Sequence, residues 1–242
     1  MQNDPAIDPD ALNAFWRVVA EHGWHGVSFR RVAQGSGRTL EALRARYASP
    51  MGLLREHTRA VDRQVLAGTL DGQGGSVRDR LFDLLMRRFD ALQPNRAGIL
   101  RLRSDMRRDP LLALALWPQL LASMAWMLEG AEVDTAGPKG LLRVKGLAAV
   151  WLAAAQAWAK DESPDLGQTM AALDKALDRA EGFARRLRLD DGDLEGGTGR
   201  DSPDTASTEA AAGSPSPGPA PFPHGSPAPP ADPPEATDPA LG

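Results

Sequence analysis

The stretch ALNAFWRVVAEHGWHGVSFRRVAQGSGRTLEALRARYASPMGLL, residues 11–54, decides the fold. Just ahead of it Asp8 and Pro9 form a helix start, and Ala11, Phe15, Val18 and Val19 recur at helical spacing until Gly23 stops the turn. Ser28 can cap a second helix through Phe29, Val32 and Ala33, which Gly35 and Gly37 end. Thr39 can cap a third, Leu40 to Tyr47, and Ser49 with Pro50 opens a fourth carrying Leu53, Leu54, Val61 and Val65. Ala33, Gly37 and Leu43 stand at the spacing of a helix-turn-helix. There, a small residue lets two helices touch, glycine takes the turn's backbone angles, and an apolar residue anchors the second helix. A plain helical hairpin carries the same triplet, so these three residues alone leave both forms open.

Outward from this module the chain stays helical. After DGQGG at 71–75, Ser76 and Asp79 make a capping-box start for a helix with Val77, Leu81, Leu84, Leu85 and Phe89 on one side. Asn95 is placed to cap the next helix, and Asp109 with Pro110 begins a run of nineteen uncharged residues that ends at Leu128. That length raises the question of a membrane span, but Pro118, Gln119 and Ser123 favour a buried core helix and no transmembrane segment. DTAGPKG at 134–140 reads as a loop, and Leu141 to Lys160 as a nearly apolar helix. Ser163 and Pro164 launch the last helix, where Leu166, Met170, Leu173, Leu177, Ala180, Ala184 and Leu187 draw a single seam. No alternating strand pattern or internal repeat interrupts this, so the expected class is all-α.

Composition divides the chain into a module at 1–70, a larger helical domain at 71–189 and a tail at 190–242. Twelve of the twenty prolines fall between Pro203 and Pro239, and large apolar residues nearly vanish there. Such a segment buries too little surface to offset its ordering entropy, which predicts a disordered acidic Pro/Ala-rich tail. The tail carries ten acidic residues against Arg200, a balance of −9, so residues 1–189 are about +5 within a whole-chain charge of −4. A mildly basic body permits contact with a polyanion, and the tail can compete for the same surface.

Several chemistries are absent from the pattern. Without cysteine there is no disulfide framework, thiolate metal site or cysteine nucleophile, which suits a reducing cytoplasm. The opening MQNDPAIDPD lacks the regions of a secretion signal. His22, His25, His57 and His224 show no metal-ligand spacing, and no phosphate loop, serine elbow or carboxylate dyad appears. Asp161, Glu162 and Asp165 fit helix-start charges. The expectation is a non-enzyme with no catalytic residues, metal or cofactor.

Residues 11–54 resemble the DNA-binding domain of the TetR family of regulators. The matching positions, in order, are Phe15, Gly23, Ser28, Val32-Ala33, Gly37, Leu43, Tyr47, Ser49 and Leu53-Leu54. The resemblance implies that residues 39–47 form a recognition helix in the major groove of an operator. It further implies that Ser28 and Arg44 touch phosphate and that Thr39, Leu40 and Ala42 face base edges. Arg30, Arg31, Arg38 and Arg46 add charge nearby, and Tyr47 completes the expected DNA-binding set. The sequence departs from the family pattern at Glu41, Arg44 and Pro50, where a small residue, a tyrosine and a lysine are usual.

The same resemblance implies a homodimer built on the two long helices at 141–160 and 166–187. It also implies an apolar small-molecule or lipid effector, for which Met86, Phe89, Met106, Trp117, Met124, Trp126, Met127 and Trp151 are the pocket candidates. A Met and Trp pattern at this spacing equally suits a packed core. The segments RDRLFDLLMRRFDALQPNR, LLASMAWMLEGA and WAKDESPDLGQTMAALDKALDRAE are in addition similar to the ubiquinone-biosynthesis accessory family. That second resemblance implies an isoprenoid-binding protein of TetR-like fold that does not act through DNA.

Overall fold

The computed structural model describes residues 8–69 and 75–186. The disordered-tail expectation for 190–242 therefore lies outside the described residues. Among these, nine α-helices and no strand are present: α1 Pro9–His22, α2 Phe29–Ser36, α3 Leu40–Arg46, α4 Pro50–Leu66, α5 Val77–Leu92, α6 Arg96–Arg108, α7 Pro110–Gly130, α8 Gly137–Trp158 and α9 Gly167–Arg186.

Local chemistry sets most of the starts. Asp8 accepts a hydrogen bond from the Ala11 N–H at 3.2 Å, and Ser76 with Asp79 closes a complete capping box on α5. Asp109 accepts from the N–H groups of both Leu111 and Leu112. Ser49 and Asn95 make no side-chain cap bond, although helices begin directly after them. Two boundaries move. Pro138 lets α8 begin at Gly137, inside the expected loop, and α9 begins at Gly167 rather than at Pro164. In front of α9 the buried Asp161 accepts from the Thr169 N–H and hydroxyl, both at 2.8 Å, so this carboxylate secures the helix start from six residues upstream.

Two apolar cores hold these helices. The smaller gathers Phe15, Trp16 and Val19 of α1, Val32, Leu43, Tyr47, Leu53 and Leu54, and it also takes Leu102 of α6 and Leu112 of α7. The larger joins α4, α5, α7, α8 and α9 through Leu84, Leu85, Phe89, Met124, Met127, Trp151 and Leu173. Close approach of α6 to α1 requires a glycine. A Cβ at Gly98 would stand 2.7 Å from both the Trp16 ring and the Trp16 carbonyl oxygen.

Helix α7 departs from the expected buried core helix. It is long and apolar enough to cross a membrane, yet only 28% of its most apolar window is buried. Leu111 is 77% exposed and Leu114 68%. The cause is that its polar side faces inward: the Gln119 amide donates to the Thr58 hydroxyl and the Leu54 carbonyl, and the Ser123 hydroxyl donates to Asp62 at 2.6 Å. Hydrogen bonding to α4 turns several of the leucines outward.

Candidate nucleic-acid interface

The turn between α2 and α3 is made by Gly37, whose backbone is left-handed at φ +69° and ψ 9°. A Cβ there would meet nothing within 4 Å, so conformation alone, not space, selects glycine. Thr39 then caps α3 by accepting from the Ala42 N–H at 3.1 Å. Leu43, 2% exposed, anchors the helix from below. The other face is open: Thr39, Leu40, Glu41, Ala42, Arg44 and Ala45 are all exposed. Leu40 is 49% exposed, a large apolar side chain held in solvent at the start of the helix. Ser28 caps α2 by accepting from the Arg31 N–H at 3.3 Å. A protein with these features presents a short, pinned, solvent-facing helix beside a capped helix N-terminus, which suits contact with a phosphate backbone.

The arginines differ in availability. Arg30 and Arg44 are exposed and have no ion-pair partner among the described residues. Arg31 donates to the Gly26 carbonyl. Arg38 is held by Asp8 at 3.0 Å and Asp10 at 3.1 Å. Arg46 pairs with Glu56, whose carboxylate raises the guanidinium pKa further. Two of these five arginines are thus already answered by carboxylates, Arg38 at the start of α1 and Arg46 from α4.

Tyr47 corrects an expectation. It is 4% exposed and belongs to the small core, so it does not face DNA. Extended backbone at the end of α3 turns its ring onto Gly52 of α4, where an added Cβ would lie 3.5 Å from the ring. Burial, with help from the neighbouring Glu56 carboxylate, pushes its phenol above the usual range.

The eight pocket candidates do not form one group. Phe89, Met124, Met127 and Trp151 are buried in the larger core, with Phe89 stacked on Trp151 at 4.4 Å, and Met86 packs against them. Met106 instead packs on the small core. Trp117 is 39% exposed and Trp126 59%, so both lie at the surface. A groove of about 700 Å³ runs elsewhere, between α5, α8 and α9, and contains none of the eight.

Sequence reasoning missed a buried ionic cluster next to this core. Arg88 of α5 pairs with Asp62 of α4, and its guanidinium lies 5.2 Å from the centroid of the Trp151 ring. Ser123 donates to the same carboxylate, and His57 sits one turn away against Trp16, its ring centroid 4.9 Å distant. Burial and the Arg88 charge lower the His57 pKa to about 4. The available signal was a charge inside an apolar stripe: Arg88 directly before Phe89, and Asp62 directly after Val61. Among the described residues no group of three or more His, Asp or Glu side chains is placed to hold a metal.

No family model and no curated protein matches the chain. Solved structures do. A TetR transcriptional regulator from Nitrosomonas europaea is similar with a TM-score of 0.58 at 17% identity, over 72% of this chain and 98% of that one. Another, from Rhodococcus sp. RHA1, has a TM-score of 0.52 at 16% identity, over 71% and 93%. The protein therefore has a TetR-like fold.

Proposed function

We propose that the protein is a TetR-type transcriptional regulator that binds double-stranded operator DNA as a homodimer in the cytoplasm, under control of an apolar small-molecule or lipid effector. The observation that carries this reading is the outward face of α3, open from Thr39 to Ala45 except for the buried anchor Leu43. A helix kept only for packing would not hold Leu40, Ala42 and Arg44 together in solvent. In this reading Thr39, Leu40 and Ala42 meet base edges, while Ser28, Arg30 and Arg44 meet phosphates.

The outer faces of α8 and α9 support dimerisation. Leu141, Leu152 and Phe183 are 50%, 47% and 55% exposed, and the small residues Ala149 and Ala153 lie exposed beside them. The expected seam through Leu173 and Leu177 is spent inside the chain, so pairing uses the opposite side of α9. For the effector, the four buried candidates are in mutual packing, and its entry must open the larger core. Movement there reaches the small core through Leu102 and Leu112, which α6 and α7 contribute to it.

Retention on duplex DNA at two salt concentrations tests the reading. Binding through phosphates weakens steeply as salt rises. A purified protein that ignores duplex DNA at low salt and copurifies with isoprenoid lipid would instead match the accessory-protein reading.

A further inference from the structure

Helix α4 carries a groove of about 630 Å³ along its outer side, lined by Arg55, Arg59, Asp62, Leu66 and Trp126, and ending on Arg46 and Tyr47 beside α3. That volume lies in the range of small-molecule sites, roughly 300–1,000 Å³. Its acidic groups are engaged, Glu56 by Arg46 and Asp62 by Arg88 and Ser123. Arg55 and Arg59 are exposed, one turn apart, and have no partner among the described residues. Each offers a planar fork of N–H donors that matches the oxygens of a phosphate. Trp126, 59% exposed, lines the other end with Leu66, since one turn further along α7 Gly130 packs on Leu66, where an added Cβ would lie 2.6 Å from the leucine. Seven residues of α4 separate Arg59 from Leu66, about 10 Å at the rise of an α-helix. Cations at one end and an open aromatic face at the other select a ligand that is both anionic and planar.

We propose that this groove binds a nucleoside polyphosphate, with its phosphates on Arg55 and Arg59 and its base stacked on Trp126. A bare inorganic anion would use the arginines and leave the tryptophan face empty. An apolar effector would desolvate two guanidinium groups without an answering charge. A duplex keeps its bases paired and stacked within, out of reach of Trp126. A nucleotide supplies the charge and the free ring together, at a separation comparable with that between Arg59 and Leu66. Stacking tolerates any base, because each has a π face, so the groove assigns the class and not one base. Of the eight pocket candidates only Trp126 lines this groove, which makes the site separate from the larger core. Because the groove ends on Arg46 and Tyr47 beside α3, bound phosphates oppose the approach of a DNA backbone. That consequence alone rests on the DNA-binding reading.

The test is isothermal titration calorimetry on the full chain with ADP and GDP, and with adenosine and inorganic pyrophosphate as the two halves of the ligand. At low salt a diphosphate binds once per chain, and each half binds at least about tenfold more weakly. Changing Arg55 and Arg59 together to Gln lowers the affinity by about a hundredfold, and Trp126→Ala by about tenfold. All three side chains are exposed, so unchanged thermal unfolding shows that the variants keep the fold. Failure of both diphosphates to bind overturns the proposal. Binding that survives in both variants also overturns it, because the nucleotide then sits elsewhere. Pyrophosphate that binds as tightly as ADP, with no effect of Trp126→Ala, overturns it in favour of a simple anion site. If no nucleotide binds and the double arginine variant only loses retention on duplex DNA, the arginines serve nucleic acid and the proposal falls. In a parallel measurement ADP lowers the salt concentration at which the wild type leaves duplex DNA. If the protein binds no DNA at low salt, the regulator reading fails while the calorimetric result stands.

Discussion

The carboxylate of Asp105, on α6, accepts a hydrogen bond from the backbone N–H of Trp24 at 2.7 Å, tying α6 to the turn that follows α1. Arg101 steadies the same carboxylate at 3.2 Å, and Gly23 leaves the space for it, since a Cβ there would stand 2.7 Å from Asp105. Burial opposes ionisation of Asp105, but the Trp24 N–H and Arg101 outweigh it and hold its pKa below the usual value. Asp105→Ala leaves the Trp24 N–H without its acceptor and is expected to cost about 1–3 kcal/mol. Asp105→Asn, which keeps an acceptor, costs less. Urea midpoints for the two variants check this, and equal, negligible shifts would remove the link.

His57 makes stability pH-dependent in a definite window. Its pKa is about 4 in the folded protein, against an ordinary value of about 6.5 in the unfolded chain. Between these values the unfolded state binds the extra proton, so stability falls as pH drops from 6.5 towards 4, by up to about 3 kcal/mol, and is intact above 6.5. His57→Leu flattens this slope. Denaturant midpoints from pH 7 to pH 4 measure it, and an unchanged slope in the variant would assign the effect to other groups.

The Asp62–Arg88 pair is costly to break singly. Arg88→Met leaves the Asp62 carboxylate buried with Ser123 alone, and a loss of about 3–5 kcal/mol is expected. The double variant Asp62→Leu/Arg88→Met removes both charges and recovers much of it. Unfolding free energies of the four proteins give the coupling directly. No recovery in the double variant would mean that packing of Arg88 on Trp151, not charge, dominates.

On the interface, Arg44→Ala should weaken binding to all duplexes and lower the salt slope by about one. Thr39 both caps α3 and faces outward, so Thr39→Ser, which keeps the cap oxygen, is the informative change. It should alter preference among operators with little effect on stability. A fluorescence-anisotropy series over salt and sequence distinguishes the two roles, and equal null results would exclude α3 as the reading helix.

Much of the N-terminal module was legible because its signals are local. Ser28, Thr39 and Gly37 act on atoms within four residues of themselves, so their spacing announces the caps and the turn. Tyr47 was misread because its direction depends on Gly52, which the sequence does not rank above other small residues. Trp117 and Trp126 were misread for a related reason. Apolar character predicts burial only if no competing face exists, and Gln119 and Ser123 supplied one.

The sequence by itself determined the helical class, most helix starts and the glycine turn between α2 and α3, because capping, glycine backbone freedom and apolar periodicity operate over a few residues. Only the tertiary structure decided which side of α7 faces inward, which arginines are already neutralised, and that Asp62 and Arg88 meet in the core. These outcomes depend on pairs distant in the chain, and the cost of burying a charge or leaving a donor unpaired is set by whichever partner the fold brings to it.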